Sequence, residues 1–133
     1  MREILFRGKL IENNGWVYGF YNYTFQRGYN SQPYDDVPNK YHYIYVDTCY
    51  FEIQGHTVGQ YTGLIDKNGV KIFEGDVVKV DGMRIEKCNG IGVVSWVKEG
   101  CYFGVKIHNQ FSFLLHQAGG IEVIGNIHEK KEV

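Results

Sequence analysis

Val58-Gly-Gln-Tyr-Thr-Gly-Leu-Ile-Asp-Lys-Asn-Gly-Val-Lys-Ile-Phe-Glu-Gly-Asp-Val-Val-Lys-Val80 is the stretch that decides how this chain folds. Asp66-Lys67-Asn68-Gly69 separates two β-prone runs, Tyr61 to Ile65 and Val70 to Phe73, and Gly69 can take the positive φ that a tight connection needs. A hairpin is predicted there. Glu74-Gly75-Asp76 interrupts the pattern again before Val77-Val78-Lys79-Val80, so one strand turns a corner and hands over to the next. Asp66, Asn68, Gly69, Glu74, Gly75 and Asp76 are therefore read as a structural turn motif. Glu74 and Asp76 flank a glycine, and such a pair of carboxylates can do acid/base work or hold a divalent cation. With no third ligand or partner base nearby, we read them instead as corner residues that bond backbone amides. Asp66, at the first position of a turn, caps its own backbone on the same grounds.

Upstream, Ile4 to Leu10 and Trp16 to Tyr23 flank the turn-rich Glu12-Asn13-Asn14-Gly15, which predicts another hairpin. In its second strand Trp16, Tyr18 and Phe20 share one face, and Val17, Gly19 and Tyr21 the other. The pattern dissolves between Phe25 and Lys40, a segment holding both prolines; a loop of this length in a small domain is functional or mobile. Tyr41 to Val46 and Cys49 to Ile53 then read as two strands broken by Asp47-Thr48.

Downstream of Val80, the polar run from Asp81 to Gly90 reads as an irregular excursion. Ile91 to Val97 and Cys101 to Ile107 flank Lys98-Glu99-Gly100 as a further hairpin, and Phe111 to Leu115 and Ile121 to Ile124 complete the set. Strand signals at this spacing from Val77 onward predict a curled sheet, an SH3-like small barrel of about five strands. Helix signals are poor, confined to Phe113 to Ala118 and the tail after Asn126. The expected fold is mainly β: an SH3-like barrel in residues 58–133 packed with a Tyr-rich β unit in residues 1–57, as one cooperative unit.

Composition agrees. The 133 residues include 17 Gly, 11 Tyr, 8 Phe and 2 Trp but only 2 Pro, which favours short strands joined by glycine turns over helices. Lys plus Arg is 14 against 15 for Asp plus Glu, and neither half is basic, so net charge gives no support to a polyanion partner. Cys49, Cys88 and Cys101 form no CxxC pair, and their odd number argues for reduced thiols in a cytoplasm. His42, His56, His108, His116 and His128 lack metal-site spacing, so neither metal nor cofactor is expected. Gly90-Ile91-Gly92 lacks the remaining glycine of a dinucleotide loop. Charges flank the apolar residues near Met1 and no long apolar run follows, so no membrane segment is expected.

The one binding feature is aromatic. Tyr41, Tyr43 and Tyr45 alternate on one strand face, and Tyr29 and Tyr34 lie in the preceding loop. Such a stripe can stack nucleic-acid bases. Tyrosine is also β-prone, amphipathic and enriched at protein contacts, and without a basic groove the protein-contact or core reading is preferred.

Three segments together carry a resemblance. The run from Thr57 to Val78, with Gly59-Gln60-Tyr61-Thr62-Gly63-Leu64, Asp66-Lys67-Asn68-Gly69 and Phe73-Glu74-Gly75-Asp76-Val77-Val78, resembles the signature of the YopX family, small proteins encoded by bacteriophages and prophages. Arg2-Glu3-Ile4-Leu5-Phe6-Arg7-Gly8-Lys9 with Gly15-Trp16-Val17-Tyr18-Gly19 is similar to its opening, and Ile121-Glu122-Val123-Ile124-Gly125-Asn126-Ile127-His128 to its close. Tyr21 to Tyr50 matches no family pattern, and Glu129-Lys130-Lys131 stands where Asn-Pro often follows. The resemblance implies a phage context and brings no catalytic residue. Function is thus expected to be non-enzymatic: a homo-oligomer that contacts a host or phage protein in the bacterial cytoplasm, or alternatively a nucleic-acid-binding barrel in phage replication or regulation.

Overall fold

The computed structural model describes residues 3–25, 40–82, 89–107, 111–114 and 120–129. Ten strands account for most of them: β1 (Phe6–Leu10), β2 (Trp16–Phe25), β3 (Lys40–Val46), β4 (Cys49–Ile65), β5 (Lys71–Phe73), β6 (Asp76–Asp81), β7 (Gly90–Val97), β8 (Tyr102–Ile107), β9 (Phe111–Leu114) and β10 (Gly120–Asn126). There is no helix among the described residues. Phe113 and Leu114, where a helical turn was conceivable, lie in β9, and residues 115–119 fall outside the described ones. The strands form two antiparallel sheets, and the chain divides into two compact units, Ile4–Gln60 and Tyr61–Val133 with Met1–Glu3.

In the first unit β1 pairs with β2, β2 with β3, β3 with β4 and β4 with β1, so the pairings return to their start. Two turns set this register. Asn14 (φ 61°) and Asp47 (φ 53°) occupy left-handed conformations that short polar side chains tolerate. Around Asn14, Leu10 N–H donates to the Gly15 carbonyl at 2.8 Å and the Asn13 side chain accepts from Gly15 N–H at 2.8 Å. Ile44 and Ile53 are fully buried on the inner side. Gly8 and Gly19 are small by necessity, since a Cβ would run into the Ile53 side chain at Gly8 and into the Tyr45 carbonyl at Gly19.

The sequence suggests separate segments between Cys49 and Ile65, whereas the structure has one strand of 17 residues. β1 explains the apparent break. Its Lys9 and Leu10 face Gln54 and Ile53, its Phe6 and Arg7 face Gln60 and Gly59, and Gly55 to Val58 bulge between. Thr57, buried, pins the bulge: its hydroxyl donates to the Gln54 carbonyl at 2.6 Å and accepts from Lys9 N–H at 2.8 Å.

The second unit begins where β4 pairs with β5, Tyr61 opposite Phe73 and Ile65 opposite Lys71. Its main sheet has the order β10-β6-β7-β8-β9. Alternate residues of β6, β7 and β8 point inward, and Val78, Val80, Val94, Val105 and Ile107 join Ile72 and Ile121 in the core. Burying each such side chain contributes about 1.5–3 kcal/mol.

Candidate functional site

The aromatic residues of the first unit fall on two faces, and the strand registers decide which. On the inner side, with Ile44 and Ile53, lie Phe6, Tyr21, Tyr23, Phe25 and His42. On the outer side the registers align rows across three strands: Phe20 beside Tyr45 beside Tyr50, Asn22 beside Tyr43 beside Glu52, and Thr24 beside Tyr41. Tyr18 and Trp16 continue that face toward β1, opposite Arg7 and Lys9.

The outer rows are open to solvent at their centre. Phe20 and Tyr50 are each 66% exposed, and Tyr18 and Tyr45 are also exposed. Tyr50 packs edge-on against Tyr43, centroids 5.7 Å apart, and tilted against Tyr45 at 5.8 Å. At the β1 end the Arg7 guanidinium lies 4.5 Å and Lys9 Nζ 5.4 Å from the Trp16 ring centroid, cation–π contacts that take up both charges. Of the five tyrosines singled out from the sequence, Tyr41, Tyr43 and Tyr45 are brought together here; Tyr29 and Tyr34 lie outside the described residues. Sequence reasoning missed Phe20 and Tyr50. The signal was the two-residue connection Asp47-Thr48, which fixes Tyr45 opposite Tyr50.

The inner aromatic residues form a chain of their own. Phe6, Tyr21, His42, Tyr23 and Phe25 follow one another with centroids between 5.8 and 6.4 Å apart. The Tyr21 hydroxyl and His42 Nδ1 share a hydrogen bond of 2.6 Å, and the His42 ring covers Gly55, where no Cβ fits. Burial, then the Lys40 charge, holds the His42 imidazole below its ordinary pKa; burial, then Tyr23, pushes the Tyr21 hydroxyl up. This was not foreseen, because nothing in the sequence pairs residues 21 and 42.

The turn motif is occupied with its own backbone. One Asp66 carboxylate oxygen accepts from Asn68 N–H at 2.8 Å and Val70 N–H at 2.9 Å; the other accepts from Val123 N–H on β10 at 2.9 Å. Lys67 N–H adds a bond to the Ile121 carbonyl, and Gly69 completes the turn at φ 81°. At the second corner Asp76, buried, accepts from Phe73 N–H at 2.7 Å. Gly75, at φ 91°, donates to the Val94 carbonyl and accepts from Ile127 N–H. Asn68 is exposed and Glu74 half-buried. The Ile121 to His128 segment thus ties both mid-chain corners together, and the carboxylates of Asp66 and Asp76 act on amides.

No group of three His, Cys, Asp or Glu side chains converges as a metal site among the described residues. Cys49 and Cys101 are exposed free thiols, while His108 and His116 lie outside the described residues. No described helix is long and apolar enough to cross a membrane. No match is found among curated proteins. The family model described as YopX protein matches residues 5–133, nearly the whole length, and takes in both corners and the closing segment that joins them; the chain belongs to the YopX family.

Proposed function

We propose that this YopX protein is a non-enzymatic interaction module encoded by a phage or prophage. On this reading it acts in the cytoplasm of the bacterial host, self-associates through its first unit and contacts a host or phage protein. The observation that carries the reading is the outward row Phe20, Tyr45 and Tyr50 with Tyr18 beside it. At about 200 Å² per aromatic side chain, the exposed parts of these four amount to about 430 Å². That is about half of what each partner contributes to an interface of standard size. We read the second unit as an SH3-like small barrel, because its order β10-β6-β7-β8-β9 is a four-strand meander with the last strand returned beside the first.

Sedimentation velocity of the full chain over a wide concentration series tests the proposal. The expected result is a concentration-dependent shift to larger species. A chain that stays monomeric at every concentration overturns self-association. Salt-sensitive retardation of single-stranded oligonucleotides would instead transfer the aromatic rows to a base-stacking role in replication or regulation.

A further inference from the structure

Strand β2 is longer than the strand beside it. β1 covers β2 only from Trp16 to Gly19, and no described strand pairs with Phe20–Phe25 on that side. Backbone alternation shows which groups face this side of β2. The two-residue connection after Val46 closes on the Val46–Cys49 pair, so Ile44 and His42 also direct their N–H and C=O groups toward β4. Tyr45, Tyr43 and Tyr41 therefore direct theirs toward Phe20, Asn22 and Thr24 of β2. This leaves the amides and carbonyls of Tyr21, Tyr23 and Phe25 directed away from β3, along the edge that no described strand pairs. The Tyr23 amide is met there by the side chain of its own neighbour, Asn22 Oδ1, at 2.9 Å.

Natural edge strands are guarded against pairing by Lys, Pro or a bulge. Phe20-Tyr21-Asn22-Tyr23-Thr24-Phe25 has none of these and no charge at all. All of it but Asn22 is β-prone, and its residues are exposed except for half-buried Tyr21. A neutral edge meets no like-charge penalty when paired with itself, and its side chains match themselves in one register. With Tyr23 on a two-fold axis, Tyr21 faces Phe25 of the second copy and Asn22 faces Thr24. Aromatic meets aromatic on one side of the sheet, and amide meets hydroxyl on the other.

We infer that β2 pairs antiparallel with β2 of a second copy of this chain, about a two-fold axis at Tyr23, with the partner's backbone taking over the Tyr23 amide from Asn22. This rests on the self-association proposed above but moves its contact from the outward rows to the β2 edge, which leaves those rows, Tyr50 included, for the host or phage protein. The seam joins two sheets edge to edge, so the outward tyrosine rows of both copies become one longer surface. An edge of this length lies at the small end of specific interfaces, so association is concentration-dependent.

The test uses the full chain in sedimentation velocity. Tyr23→Glu places like charges on the axis and leaves the new carboxylate beside Lys40, whose Nζ now lies 3.8 Å from the Tyr23 ring centroid. We expect it to weaken association about tenfold or more, with Tyr50→Glu leaving it nearly unchanged. A second measurement does not depend on how that variant folds. In a background with Cys49→Ser, Cys88→Ser and Cys101→Ser, mild oxidation of Tyr23→Cys should give a covalent dimer. Paired residues of this type stand about 5.5 Å apart at Cα, within disulfide reach. Thr24→Cys, which faces Asn22 across the seam, should crosslink far less. Dissociation by Tyr50→Glu with Tyr23→Glu still associated would overturn the seam and leave self-association through the tyrosine rows standing. A monomeric wild-type chain would overturn both.

Discussion

Asp66 shows how a single side chain can outweigh its own desolvation. Burial alone would raise its pKa, but the amides of Val123, Val70 and Asn68, with the Lys67 charge, hold the carboxyl below the usual range. A depressed carboxylate contributes stability above its unfolded pKa, about 3.9, and loses it as pH falls through the lower folded value. His42 acts on a different limb. Its folded pKa is lowered, so unfolded chains take up the proton first, near pH 6.5, and stability declines as pH falls below that point. Tyr21 works oppositely: its raised pKa means unfolded chains ionise first, and stability is lost as pH rises beyond about 10. The unfolding free energy from urea titration should therefore be highest between about pH 6.5 and 10 and fall in two stages on the acid side. His42→Asn should flatten the upper acid stage. Asp66→Asn should remove the lower stage and reduce the plateau by about 2–3 kcal/mol, since three amides lose a charged acceptor. An unchanged upper stage in His42→Asn would disprove its assignment to this imidazole.

At the scale of strands, the closest approach is between β2 and β3. A Cβ at Gly19 would strike the Tyr45 carbonyl, which is backbone in a paired strand and cannot swing aside. Gly19→Ala should cost about 3 kcal/mol or more in thermal or urea unfolding. Gly125→Ala, with open space around its Cβ position, should cost no more than about 1 kcal/mol. Equal losses at the two sites would show that β2 and β3 can part without penalty. Much of this element level was legible in the sequence. Asn14, Asp47, Gly69 and Gly75 sit where turns need positive φ, and short polar or glycine residues announce such positions. The length of β4 was not legible, because Gly55 to Val58 reads as a break until Thr57 is seen bonding to Lys9 and Gln54. Similarly, Tyr41, Tyr43 and Tyr45 were visible as a stripe, but a stripe has no direction by itself. It faces outward because His42 and Ile44, between them, pack inward with Tyr21 and Ile53. Phe20 and Tyr50 join the rows through register, which depends on turn lengths and pairing partners far apart in the chain.

For the molecule as a whole, β4 poses the decisive question. It runs without a turn from the first unit, where it pairs with β3 and β1, into the second, where it pairs with β5. Losing either set of pairings frees one end of a continuous strand, so the expectation is that melting in one unit removes the template on which the other closes. The second unit is held together in turn by contacts distant in sequence, with Val123 and Ile121 bonded to the Asp66 turn and Ile127 to Gly75. Among the described residues neither unit has the local, helical contacts that would let it fold early and alone, and domains of this size commonly unfold in one step. The two tryptophans report this separately, because Trp16 lies in the first unit and Trp96 in the second. Fluorescence of Trp16→Phe and Trp96→Phe through urea should give transitions with the same midpoint as backbone circular dichroism of the same variant. Adding Asp66→Ala to each should lower both midpoints together, although the lost carboxylate is in the second unit alone. If only the Trp96 signal moved, the units would be thermodynamically separate, and the continuous strand would be a tether rather than the shared element through which they fold.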